Sequence, residues 1–205
     1  MEPYQISPPS LGSCAAILLA GGRGSRLGGN KAGAVFRGQT LLASGLQRLV
    51  ELPLPTERTA VSLGENHDSL RQGELSDWQT PVLRDRQLDC GPLGGIATGL
   101  AWASQIGCDW LYCFPLDMPL LPPDCLTRLI AAARDDYPII RAASPGRSFP
   151  TVALIATRLH EQLVTYLADG GRRAFEFQNS HQTITAQILN ETEARNINRP
   201  DDLLG

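Results

Sequence analysis

The residues of this chain best disposed to do chemistry are three cations set among glycines: Arg23, Arg26 and Lys31. They follow an apolar run, Ala15 to Ala20, in the stretch A-A-I-L-L-A-G-G-R-G-S-R-L-G-G-N-K. Gly21, Gly22, Gly24, Gly28 and Gly29 carry no Cβ, so the loop can bend sharply and bring its N–H groups close to a ligand. Backbone donors and side-chain cations at the end of a strand suit an anion, phosphate above all. A second candidate is Asp117, which directly follows the apolar run Leu111 to Leu116 and precedes Met118-Pro119. A carboxylate just past the carboxyl end of a buried strand stands where open α/β sheets take their ligands. Beside phosphates its natural task is to hold Mg²⁺, a hard cation that takes oxygen ligands. Asp124 is better placed than Asp117 to charge the first turn of the helix that follows.

The elements that must position these groups read as strands alternating with helices. Ala15 to Ala20 is short and continuous enough for a strand buried on both faces. Thr40 can cap a helix whose apolar face is Leu41, Leu42, Leu46, Leu49 and Val50, and Pro53 and Pro55 end it. Thr59 to Leu63, Pro81 to Leu83 and Leu111 to Leu116 are further strands. Between the last two, Gly91-Pro92-Leu93-Gly94-Gly95 opens a helix whose glycines allow close packing. Leu126, Leu129, Ile130 and Ala133 mark a helix ending near Asp135-Asp136. Ile139 to Arg141 and Thr151 to Ala156 are strands around the turn Ser144-Pro145-Gly146-Arg147. A helix through Leu159, Leu163, Tyr166 and Leu167 closes at Gly170-Gly171, and Thr183 to Leu189 is a last strand. This alternation implies βαβ units and a mainly parallel sheet.

Length and composition bound the alternatives. At 205 residues one domain over 14–205 suffices, with 1–13 as a flexible N-terminal tail. The formal charge of −3 speaks against a basic face for nucleic acid. No apolar run approaches the roughly 20 residues a membrane span needs, and the proline-rich start has no basic region typical of a secretory signal. Cys14, Cys90, Cys108, Cys113 and Cys125 are odd in number and include no C-x-x-C pair, which points to the cytoplasm and not to a zinc site.

Spacing excludes two common phosphate loops. Lys31 is followed by Ala32 where the Walker pattern needs Ser or Thr, and Leu27 stands where the dinucleotide fingerprint needs its third glycine. What remains, L-A-G-G-x-x-x-R-L-G-x-N-K, resembles the signature of nucleotidyltransferases that attach a nucleoside monophosphate to a phosphorylated acceptor. G-P-L-x-G at Gly91–Gly95, L-D-M-P at 116–119, F-P-T-V-A-L at 149–154, G-R-R at 171–173 and N-I-N-x-P at 196–200 follow in order. Together, over about Ala15 to Leu204, they are similar to the MobA-like molybdenum cofactor guanylyltransferase family.

The resemblance implies a three-layer α/β/α Rossmann-like nucleotidyltransferase fold with a mainly parallel central sheet. It implies transfer of GMP from GTP to the terminal phosphate of molybdopterin or molybdenum cofactor, with release of pyrophosphate and Mg²⁺ as cofactor. In that frame Leu19, Ala20, Gly21 and Gly22 wrap the nucleotide, Arg26 and Lys31 bind its phosphates, and Asp117 carries the metal. Asp85 contributes to nucleoside recognition, and Arg172, Arg173, Asn196 and Asn198 face the pterin side. Proteins that deliver or receive the cofactor would be transient partners. The chain departs from the family pattern at Asn30, usually aspartate, at Leu27, usually methionine, at Gly64, where asparagine is expected, and at Arg199, usually threonine. Two other readings use the same residues: a sibling enzyme with CTP or a sugar-phosphate acceptor, and a noncatalytic nucleotide-binding adaptor of the same fold.

Overall fold

The computed structural model describes residues 7–21, 31–64, 80–85 and 89–204. In chain order the elements are β1 (Cys14–Leu19), the short strands β2 (Val35–Phe36) and β3 (Gln39–Thr40), α1 (Leu41–Glu51), β4 (Thr59–Ser62) and β5 (Val82–Leu83). There follow α2 (Pro92–Gln105), β6 (Trp110–Pro115), α3 (Cys125–Ala132), β7 (Ile139–Ser144), β8 (Arg147–Ala156), α4 (His160–Ala168), α5 (Ala174–Asn179) and β9 (Thr183–Gln187). Seven strands form one sheet in the order β5-β4-β1-β6-β8-β7-β9. Only β8 runs against the rest, pairing antiparallel with both β6 and β7.

The sheet is buried because β1 is apolar at every position. Cys14, Ala16 and Leu18 enter one core with α1 and α3; Ala15, Ile17 and Leu19 enter the other with α2, α4 and α5. Strand alternation thus feeds both faces, which gives three layers, α/β/α, as expected. The chain runs β1, β4, β5 toward one edge, then returns to place β6 on the other side of β1. The gap beyond the carboxyl ends of β1 and β6 is therefore a topological switch point, where open α/β sheets take ligands.

Several boundaries differ from the sequence expectation, each for a local reason. Residues 7–13, expected as tail, are fastened down. Trp110 is buried and its Nε1 donates to the Ser7 carbonyl at 3.1 Å, while Arg58 Nη1 donates to the Gly12 carbonyl at 2.6 Å. A buried indole N–H needs such an acceptor. Thr40 caps α1 as expected, accepting from the Ala43 N–H at 3.1 Å, but Val50 is exposed and Arg48 is buried in its stead. Helix α3 stops at Ala132, short of Asp135. Strand β9 ends at Gln187 because the N–H groups of Ile188 and Leu189 both turn back onto the Ala143 carbonyl. The β7–β8 register shifts between Arg141 and Ala142, opposite the stretch of β8 holding Pro150, a residue with no N–H to give a ladder.

Candidate active site

The switch point joins the two candidates singled out from spacing. Lys31 Nζ lies 2.6 Å from Asp117 Oδ2, with side chains 22% and 16% exposed. The residues are 86 positions apart in sequence, and the fold alone brings them together. Both side chains are partly buried and retain some exposure at the edge of the sheet. Gly22 and Arg26 lie outside the described residues.

The edge beside this pair is built from three strand ends. The Ala20 N–H donates to the Ser62 carbonyl at 2.8 Å, continuing the β1–β4 ladder one residue beyond β1. Gly21 then passes so close to the β4 end that a Cβ on it would lie 3.1 Å from both Gly64 Cα and Gly64 N. Gly64 itself has φ +57°, a conformation that favours glycine over the expected asparagine. Ser62 Oγ donates to Asp85 Oδ1 at 2.5 Å. Burial holds the Asp85 carboxyl above its ordinary range, and the Ser62 hydroxyl offsets part of that rise. Behind this edge, Gly95 of α2 lets the helix approach: a Cβ there would meet Ser62 Oγ at 2.7 Å and Leu19 Cδ2 at 2.9 Å. Sequence reasoning named Asp85 and missed Ser62, whose only signal is a hydroxyl at the end of Thr-Ala-Val-Ser.

The backbone around Asp117 is held from three directions. The Leu116 N–H donates to the Leu19 carbonyl at 3.1 Å, and the Ile197 N–H donates to the Asp117 carbonyl at 2.7 Å. The Met118 carbonyl accepts from Leu121 N–H at 3.2 Å and from Arg48 Nη1. Burial pushes the Arg48 guanidinium down to about 10, so it is charged at neutral pH. Its Nε and Nη2 are buried without a hydrogen-bond partner.

Ile197 lies between two asparagines. Asn196 and Asn198 line a cavity of about 800 Å³ that also takes in Arg37, Arg147, Arg195 and Arg199. Arg37 and Arg195 both lie over the Phe36 ring, at 5.2 and 5.6 Å from its centroid, and Arg147 lies over Phe149 at 4.9 Å. Asn196 Oδ1 is buried there without a partner. The turn between β2 and β3 carries Arg37 at φ +51° and Gly38 at +83°, which aims a guanidinium from a tight hairpin turn. Asp202 accepts the Asn198 and Arg199 N–H groups at 2.8 Å each, and those bonds lower its carboxyl below the usual range.

Of the four residues grouped on the pterin side, Asn196 and Asn198 line this cavity. Arg172 and Arg173 do not line this cavity. They follow α4, whose Leu163 and Leu167 belong to the core on the opposite face of the sheet. There Arg172 Nη1 donates to the Leu167 carbonyl at 2.9 Å, and Arg173 Nη1 to Glu176 Oε1 at 2.8 Å.

A lysine and a carboxylate thus meet at a switch point, with glycine backbone beside them, at the edge where open α/β sheets take ligands. The chain belongs to the MobA-like NTP transferase family, whose profile matches residues 16–183. The molybdenum cofactor guanylyltransferase of Cereibacter sphaeroides is 35% identical over 188 residues, covering 91% of this chain and 92% of that one. The protein of the same name from Rhizobium leguminosarum bv. trifolii is 33% identical, covering 92% and 89%. Among solved structures, the molybdopterin-guanine dinucleotide biosynthesis protein A of Archaeoglobus fulgidus superposes with a TM-score of 0.71 at 19% identity, over 93% of this chain and 95% of that chain. At that identity it attests the fold.

Proposed function

We propose that this protein transfers GMP from GTP to the terminal phosphate of molybdopterin, or of the molybdenum cofactor, releasing pyrophosphate and forming the guanine dinucleotide cofactor. The Lys31–Asp117 pair at 2.6 Å carries the reading. It sets a phosphate-seeking ammonium beside a carboxylate that already accepts a cation, at the edge where a triphosphate would lie. The relatives named for this activity match over about nine-tenths of the chain.

The chain's own residues act by positioning and by charge. Backbone at Leu19, Ala20 and Gly21 cradles the nucleotide, and Ser62 holds Asp85 toward the nucleoside. Lys31 leaves Asp117 for the phosphates, and Arg26 joins it from the glycine loop. The acceptor's phosphate attacks the α-phosphorus in line from the cavity walled by Asn196 and Asn198, where Arg37, Arg147, Arg195 and Arg199 offset its charge.

Among the described residues, no three His, Cys, Asp or Glu side chains converge as a metal cage. One carboxylate with room for phosphate oxygens and water fits Mg²⁺, which keeps much of its coordination outside the protein. Asp117 would hold it, and the ion when bound neutralises phosphate oxygens as pyrophosphate leaves. Among the described residues no helix is long and apolar enough to cross a membrane. All five cysteines are buried thiols, consistent with a cytoplasmic setting.

Melting temperatures with GTP, CTP, ATP or UTP plus Mg²⁺ test the nucleotide. GTP should raise the melting temperature most, since ligand stabilisation follows the ratio of concentration to Kd. Pyrophosphate release should then require both GTP and molybdopterin. Equal shifts for all four nucleotides would overturn the guanine assignment.

A further inference from the structure

We infer that Arg48 is a positioning residue for the Asp117 carboxylate, holding the peptide that follows it through a hydrogen bond to the Met118 carbonyl. The inference rests on Asp117 as the metal-binding carboxylate.

The argument starts from an energetic oddity. Helix α1 turns a leucine face into the core, and Arg48 sits within that face, only 7% exposed. Its guanidinium lies over the Phe114 ring, 5.6 Å from the centroid, and two of its three nitrogens have no hydrogen-bond partner. Burying a charged group with unmet donors disfavours folding. An apolar side chain of similar length would fill the same space without that cost. Stability therefore does not account for the arginine. Its single directed contact is Met118, one residue past Asp117.

That contact completes a clamp. Leu19 fixes the chain before Asp117, Ile197 fixes the Asp117 carbonyl, and Arg48 with Leu121 fixes the Met118 carbonyl. With the peptides on both sides held, the Asp117 side chain leaves the backbone toward Lys31 and not toward bulk water. Residues that orient a metal ligand typically contribute about ten- to a hundredfold in metal affinity. The charge of Arg48 acts in the opposite sense, since a cation beside the site repels another cation. The directed contact of Arg48 is to the Met118 carbonyl and not to the Asp117 carboxylate, so the geometry favours the orienting role.

The test is Mn²⁺ binding with saturating GTP, followed by electron paramagnetic resonance, on the parent, Arg48→Met and Asp117→Asn, with thermal melts alongside. Arg48→Met should melt at or above the parent temperature and bind Mn²⁺ at least about tenfold more weakly. Unchanged or tighter Mn²⁺ binding in Arg48→Met overturns the inference while leaving Asp117 as the ligand. Parent-like Mn²⁺ binding in Asp117→Asn instead overturns the metal reading, and this inference with it. If Arg48→Met does not fold, Arg48→Gln, which loses the charge and shortens the reach, is titrated against the same criterion. Failure of both variants to fold makes Arg48 a structural residue and overturns the inference.

Discussion

Replacing Gly95 with alanine probes a tight helix–sheet contact behind the Ser62–Asp85 edge. The added Cβ would stand 2.7 Å from Ser62 Oγ and 2.9 Å from Leu19 Cδ2. Both side chains are buried, Ser62 at 1% and Leu19 at 6% exposure, so neither can swing into water. Two effects oppose each other. Alanine is favoured over glycine inside a helix by about 0.8–1.0 kcal/mol, and overpacking a filled core costs about 1–3 kcal/mol. The difference is a net loss of about 0–2 kcal/mol, no more than about 8 °C in melting temperature for a chain of this size. Binding should suffer more than folding. The atom that must turn away is the hydroxyl that donates to Asp85, and a hydrogen bond to a charged group contributes about 1.5–3 kcal/mol. Expressed fully in nucleoside recognition, that loss weakens GTP by roughly ten- to a hundredfold. Calorimetric titration with GTP and a thermal melt of the same sample measure both. A variant that melts at or above the parent temperature and binds GTP within twofold would refute the packing and the Ser62–Asp85 relay together.

Asp117→Asn is nearly isosteric and should stay folded and bind GTP, yet slow pyrophosphate release by at least about a hundredfold, since lost charge stabilisation at the transferring phosphate amounts to several kcal/mol. Normal turnover in that variant would remove Asp117 from the chemistry. Asp85→Asn should change how stability depends on pH. Burial raises the folded-state pKa of Asp85, so its protonated form adds stability that is complete below the ordinary carboxylate pKa and is lost as pH rises through the raised value. The parent's advantage over the variant should therefore shrink from acid toward neutral pH; a gap that widened would mean that the carboxylate is stabilised in the fold.

Much of the site was legible because α/β proteins gather ligands at the carboxyl ends of their strands. An apolar run ending in Asp117, and another ending in glycines and Lys31, mark those ends directly. Contacts made by main chain leave no such trace: nothing in N-I-N announces that Ile197 bonds the Asp117 carbonyl. Arg48 was hidden for the opposite reason, because helical periodicity assigns arginine to solvent and valine to the core, and α1 reverses the two. Arg172 and Arg173, adjacent in sequence, do not line the cavity beside Asn196. That cavity draws Arg37, Arg147, Arg195 and Arg199 from separate stretches of chain, which no run of sequence announces.

The bond from Ile197 to Asp117 bears on how the protein matures during synthesis. Strands β1, β4, β5 and β6 leave the ribosome early and can pair as a parallel half-sheet while translation continues. The Asp117 carbonyl has no Ile197 to receive until some eighty residues later, and loop closure over such a span adds an entropic cost that grows slowly with length. The nascent chain would thus hold its sheet well before it holds the Asp117 backbone in place. This part of the site would be completed late, only once Ile197 has been made, and a growing chain would carry the sheet without the finished edge.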